Sequence, residues 1–156
     1  QRKATPRVQR ALDGPCPKQT QGRNVRKLPL LNAETRPFWT GGEVGELRMH
    51  RCVDCARYFH PPAPVCRHCT SLKVTPTPVS GRGRVLTFTI NYQAWTPELA
   101  EPYVVAIVEL EEQEGLRFLS NVVNCPPEEI EIGMPVRVVF EQVEDVWIPL
   151  FEKAAA

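Results

Sequence analysis

Four of the six cysteines in this 156-residue chain fall into two Cys-x-x-Cys pairs, Cys52/Cys55 and Cys66/Cys69, set ten residues apart in the stretch CVDCARYFHPPAPVCRHC. A soft tetrahedral ion such as Zn²⁺ takes four thiolates at this spacing. Each pair makes a tight knuckle whose two sulfurs face one ion, and Pro61, Pro62 and Pro64 stiffen the excursion between the knuckles. Four protein ligands leave no coordination position for water or substrate, so the expected role is structural. Two disulfides or four unrelated buried thiols are the competing arrangements, and iron suits the same four sulfurs. His50, His60 and His68 lie beside the set and are read as solvated or core-satisfied residues, not as replacement ligands.

No other chemistry is legible. No Ser-His-Asp, Cys-His or paired-carboxylate constellation assembles from the sequence, and Cys125, followed by two prolines, reads as a packed thiol. Metal-binding thiolates need a reducing compartment, which makes Cys16 and Cys125 thiols rather than a disulfide and points to the cytoplasm. No signal-peptide pattern and no apolar run of spanning length is present. The start at Gln1 agrees with a piece of a longer parent.

The elements that position the cysteines follow from local pattern. Residues 1–30 carry eight Lys/Arg against one acid and no packing period, and read as a basic flexible linker or arm. Residues 31–79 read as a short helix over Ala33–Trp39, capped by Asn32 and ended by Gly41-Gly42, followed by the metal ribbon. Phe38 and Trp39 are its expected buried residues. Gly45–Cys52 reads as the strand feeding the first knuckle, and Leu72–Pro78 as extended chain.

Residues 80–153 read as five strands: Arg84–Tyr92, Tyr103–Glu111, Leu116–Val123, Val136–Val143 and Trp147–Phe151, with a helical turn or loop over Pro126–Ile132. In the first, Leu86, Phe88, Ile90 and Tyr92 are expected on one face, and Val85, Thr87, Thr89 and Asn91 on the other. Five short strands in so few residues suit a small closed barrel of the OB type. The fold class is therefore mainly β, a short helix and zinc ribbon followed by a five-stranded barrel.

The ordered motifs FWTGGEVGELRMHRC, HPPAPVCRHCTS, SGRGRVLTFTI, PYVVAIVEL, FLSNVVNCPPEEIEIGMPVRVVFE and IPLF resemble a family of rubredoxin-like zinc ribbons joined to OB folds, found beside thiolases and long known only as domain of unknown function thirty-five. The resemblance runs from about Leu30 to Phe151. It implies a partner, a thiolase-like aldolase that removes a short acyl-CoA from a steroid side chain by retro-aldol cleavage, and an upstream hydratase-like domain in the parent chain. Two departures stand out. The family's glycine after each knuckle is Ala56 and Thr70 here, and an arginine common after the paired prolines is Ala63. If that arginine meets a CoA phosphate in the family, this chain uses Arg57, Arg67 or another nearby group instead, or does not hold CoA itself.

Three functions compete: a non-catalytic accessory domain that supports a thiolase-like aldolase, a single-strand nucleic-acid binder, and a self-sufficient acyl-CoA enzyme or carrier. Residues 85–156 hold thirteen acids against three Lys/Arg, which argues against nucleic acid, and the missing acid/base set argues against the enzyme. The accessory reading leads, with structural Zn²⁺, a CoA thioester held jointly with the partner, and neither nucleic acid nor membrane bound. Tyr92, Trp95, Leu99 and Tyr103 flank the loop between the first two barrel strands and are the candidate partner contacts.

Overall fold

Short runs of alternating apolar residues, punctuated by Gly and Pro, build strands through most of the chain. The computed structural model describes residues 27–94 and 101–154, and among them lie eight strands and one short α-helix. The basic arm up to residue 26, Cys16, Trp95 and Leu99 lie outside the described residues.

The helix, α1 (Arg36–Thr40), starts later than the sequence pattern indicates. Asn32 and Thr35 bond reciprocally, Oδ1 of Asn32 accepting from the Thr35 N–H and Thr35 Oγ1 from the Asn32 N–H. That exchange closes a turn ahead of the helix, so Asn32 caps a turn and Thr35 becomes the N-cap residue. Gly41 and Gly42 do not end the helical path either; they continue it as a 3₁₀ turn, Gly41–Val44, which stops at Gly45 in the left-handed region at φ 73°. Gly42 is required by contact, since a Cβ there would collide with Trp147 and Phe140. Phe38 is buried as expected, whereas Trp39 packs at the edge of the core.

The ribbon sheet has the order β2-β1-β3, from β1 (Leu47–Cys52), β2 (Tyr58–Phe59) and β3 (Val74–Val79), all antiparallel. β2 was not legible because two residues carry no period. β3 contains Pro76 and Pro78, which lack an N–H and are tolerated because the strand is a sheet edge.

β4 (Arg82–Asn91), β5 (Tyr103–Leu110), β6 (Arg117–Val123), β7 (Pro135–Val143) and β8 (Val146–Lys153) close a barrel in the order β4-β5-β6-β8-β7. Only β6 and β8 pair in parallel, and the 3₁₀ turn Pro127–Glu129 occupies the connection before β7. This is the five-stranded Greek-key barrel of the OB fold. One face assignment differs from the sequence pattern. A bulge between Val85 and Thr87 turns Val85 inward, so it joins the core with Phe88 and Ile90 while Thr87 and Thr89 stay outside. Tyr92 falls beyond the end of β4 and is exposed.

The main core is filled by Val85, Val104, Ala106, Val108, Phe118, Val136 and Phe151 of the barrel, and Phe38, Leu47 and Met49 extend it toward the ribbon. Around the cysteines the buried set shrinks to Cys52, Phe59 and Cys66. Among the described residues no helix is long and apolar enough to cross a membrane.

Candidate metal centre and the adjoining groove

Each knuckle is a short loop closed by the same backbone bonds. The Cys52 N–H donates to the Arg57 carbonyl and the Cys66 N–H to that of Ser71, both at 2.9 Å. The residue four positions after each first cysteine adopts a left-handed backbone, Ala56 at φ 61° and Thr70 at φ 60°. β1 and β3 hold the first knuckle, where the Val53 N–H reaches the Lys73 carbonyl at 2.8 Å. Ser71 Oγ and Lys73 Nζ both reach the Asp54 carboxylate, tying the first knuckle to the segment that leaves the second and holding that carboxyl below its ordinary range.

The four Sγ atoms of Cys52, Cys55, Cys66 and Cys69 lie within 4.8 Å of one another. Sγ of Cys52 is 3.5 Å from that of Cys69, and Cys55 is 3.7 Å from Cys66. Disulfides are excluded at these distances, since an S–S bond measures about 2.05 Å. A zinc ion about 2.3 Å from each sulfur of a tetrahedron sets the sulfurs about 3.8 Å apart, and these residues fit that requirement. Their ionisation agrees with a shared cation. Hydrogen bonding from the Cys55 backbone draws the Cys52 thiol down to about 7. Cys69 is pushed up to about 12, because the neighbouring sulfurs, Cys52 foremost, and burial outweigh the backbone hydrogen bond at Ser71 that favours its thiolate. Four thiolates this close repel one another, and a dication at their centre relieves the repulsion. The backbone N–H of His68 points at the Cys66 sulfur at 3.4 Å, while its ring Nδ1 lies 3.4 Å from the Arg57 guanidinium.

Between the ribbon and the β5–β6 hairpin runs a groove of about 560 Å³. Arg57, Arg67 and Arg117 line it with His60, His68 and Glu114. The two arginines singled out in the sequence are therefore brought together, and Arg117 joins them from the barrel. Gln113 fixes the geometry of the groove: its side-chain amide accepts from the Tyr58 N–H at 2.9 Å and donates to the Tyr58 carbonyl at 3.1 Å, pairing with β2 as a strand would. No local signal could have revealed this bond, which spans 55 residues of sequence. His60 sits between the rings of Phe38 and Phe118, with centroids at 4.9 and 5.1 Å. Burial, with Arg67 and His50 nearby, holds its pKa down to about 4, so it is a neutral packing group at physiological pH.

Beside the groove, Glu109 is buried and takes Arg84 at 2.9 Å and Arg117 at 3.3 Å. The Arg84 guanidinium, then Arg117, holds its carboxyl below the ordinary range against the cost of burial. Asn124 and Arg137 do the same for Glu152. Of the expected partner contacts, Tyr103 opens β5 opposite Asn91 with its side chain half-buried, and Tyr92 is exposed.

Sequence models of two domains match this chain: the rubredoxin-like zinc ribbon domain of ChsH2 over residues 39–75, and the C-terminal OB-fold domain of ChsH2 over residues 76–141. The chain belongs to the ChsH2 zinc-ribbon and OB-fold family. It is similar to the 3-oxo-4,17-pregnadiene-20-carboxyl-CoA hydratase alpha subunit of Mycobacterium tuberculosis, 35% identical over 117 residues, which is 75% of this chain but 37% of that protein. Most of that subunit's length thus has no counterpart here. A DUF35 domain-containing scaffold protein of Methanothermobacter thermautotrophicus is 39% identical over 98 residues, 61% of this chain and 71% of that one. Among solved structures, a chain of the Ltp2-ChsH2(DUF35) aldolase superposes with a TM-score of 0.73 at 32% identity, covering 82% of this chain and 100% of that chain. With the ribbon's family and the sulfur geometry agreeing, Cys52, Cys55, Cys66 and Cys69 are the residues that would hold a structural zinc ion.

Proposed function

We propose that this ChsH2-type chain is a non-catalytic scaffold that docks on a thiolase-like aldolase and supports its action on a steroid side-chain β-hydroxyacyl-CoA. The observation that carries the reading is the match, over 82% of this chain and all of the other, to a chain of the Ltp2-ChsH2(DUF35) aldolase. The similarity to a steroid acyl-CoA hydratase subunit supports the substrate class, and supports an upstream hydratase-like domain in the parent protein. The titrating groups agree with a supporting role. Asp54, Glu109 and Glu152 are each committed to a cation, and His60 is held neutral in a stack of rings. Retro-aldol cleavage needs a base at the β-hydroxyl and stabilisation of the enolate on the thioester carbonyl, and the thiolase-like partner supplies both.

The scaffold holds the CoA thioester jointly with the partner, its phosphates meeting Arg57 and Arg67 in the groove beside the ribbon. Tyr92, Trp95, Leu99 and Tyr103 contact the partner. The need of metal-binding thiolates for a reducing compartment supports a cytoplasmic location.

Co-expression with the thiolase-like subunit tests the reading. The two chains are expected to co-elute, the isolated chain to show no aldolase activity, and the complex to cleave the β-hydroxyacyl-CoA. Aldolase activity in this chain alone, or a partner equally stable and active without it, contradicts the scaffold role. Arg57→Ala with Arg67→Ala is expected to raise KM for the acyl-CoA in the complex and leave assembly intact.

A further inference from the structure

Three barrel strands present an outer face without charge. The registers of β4, β5 and β6 set Thr87, Ile107 and Leu119 on one rung and Thr89, Val105 and Asn121 on the next. These side chains point outward, because the alternating residues Val104, Ala106 and Val108 of β5 and Phe118 and Val122 of β6 are buried inside. Leu119 is 64% exposed. Tyr103 extends the uncharged surface one rung further. A barrel wall that meets water ordinarily turns polar residues outward, and residues 85–156 have sixteen charged side chains to place, yet none stands on these rungs.

Charge returns abruptly at the adjoining rung, where Arg84, Glu109 and Arg117 lie side by side. Two guanidiniums, 64% and 57% exposed, share one buried carboxylate and leave that edge positive. A charge-depleted centre in which Leu119, Ile107 and Val105 stand among threonine and asparagine, with arginine at its rim, is the composition of a protein interface. A nucleic-acid surface needs cations across its centre, and these rungs have none.

We propose that the outer face of β4, β5 and β6 is the surface on which the thiolase-like subunit docks, its uncharged patch centred on Leu119 and a carboxylate of the partner meeting Arg84 and Arg117 at the rim. This rests on the scaffold reading above. β5 and β6 are the second and third strands of the barrel, the face that barrels of this topology use for binding. A second copy of the chain is a poorer occupant, because the face's one acid, Glu109, already holds both arginines and offers nothing to the positive edge of its twin.

The test uses the full chain with the Ltp2 subunit of the aldolase as probe. Leu119→Arg and Thr87→Lys alter exposed side chains on the face, and Ile132→Arg alters an exposed side chain outside these strands. Wild type and Ile132→Arg are expected to bind alike, and Leu119→Arg to weaken binding about tenfold or more, with melting temperature and zinc content unchanged. Unchanged binding by both Leu119→Arg and Thr87→Lys overturns the face. So does an equal loss in Ile132→Arg, or a change in the chain's own oligomeric state caused by Leu119→Arg without Ltp2, which would make the face a self-association surface. Failure of the wild type to bind Ltp2 is a separate outcome: it removes the scaffold reading, and the occupant with it, whatever the variants do.

Discussion

The ribbon and the barrel are both small β-sheets, yet they are held together by different physics. The barrel closes five strands over a continuous apolar core, in which Val85, Val108, Val136 and Phe151 are almost completely buried. Around the cysteines the ribbon buries Cys52, Phe59 and Cys66, and two of those three belong to the four-sulfur cluster that would hold the ion. So few apolar groups cannot offset the conformational entropy of ordering two knuckles and a proline-rich loop. The ribbon therefore needs an ion where the barrel needs only burial. Gln113, with Phe38 and His60, joins a metal-dependent module to a self-sufficient one.

Cutting each support separately should break the two regions in different ways. Structural zinc contributes an apparent binding free energy of roughly 10–16 kcal/mol at neutral pH, so Cys66→Ala or chelation is expected to melt the ribbon. Amide protection should vanish over Cys52–Cys69 and persist in β5 and β6. Phe151→Ala leaves the knuckles untouched but empties the barrel centre, at about 3–5 kcal/mol, and should lower the melting temperature while folded protein keeps one zinc per chain. Full protection of the ribbon amides in metal-free protein would remove the distinction between the regions.

The same contrast explains what could be read from sequence. The gathering of the four cysteines was legible because two Cys-x-x-Cys knuckles are encoded in local spacing, and the barrel strands because apolar alternation runs for seven to ten residues at a time. Short and bulged pieces were not. β2 is two residues whose register is supplied by β1 and by Gln113, and Val85 faces the core only because the bulge before Thr87 shifts the alternation. The groove was half legible. Arg57 and Arg67 sit near the cysteines in sequence, whereas Arg117 reaches them only through closure of the β5–β6 hairpin.

His60 reports on the seam between the two regions, with a smaller effect. Its folded-state pKa lies near 4, below the ordinary 6.5, so the unfolded chain takes up the proton first as pH falls. Stability on its account is intact above pH 6.5 and is lost progressively as pH falls through 4. Zinc release also destabilises the protein in acid, so the informative quantity is a difference between variants. His60→Phe keeps the ring stack with Phe38 and Phe118 but cannot titrate. Between pH 7 and pH 5 the wild type is expected to lose about 2 kcal/mol relative to this variant, measured by denaturant unfolding. A gap independent of pH would mean that His60 is solvated and that the seam is open.

The smallest expected effect sharpens the comparison at the knuckles themselves. Ala56 and Thr70 hold left-handed backbone because each knuckle must turn its chain back toward the ion, and a Cβ in that region costs about 1–2 kcal/mol. Glycine removes the clash, although its freer unfolded chain returns roughly 0.5–1 kcal/mol of that gain. Thr70 is β-branched and should benefit more than Ala56. Thr70→Gly is therefore expected to stabilise the ribbon by about 1 kcal/mol, and Ala56→Gly by somewhat less. The strain is relieved only where the knuckle is folded around its metal, so the gain should appear as tighter zinc retention against a competing chelator. Thermal unfolding of the barrel should move little. Faster zinc loss in Thr70→Gly would show that the threonine stabilises the knuckle, through the 2.7 Å hydrogen bond from its hydroxyl to the Cys69 carbonyl, by more than its backbone conformation costs.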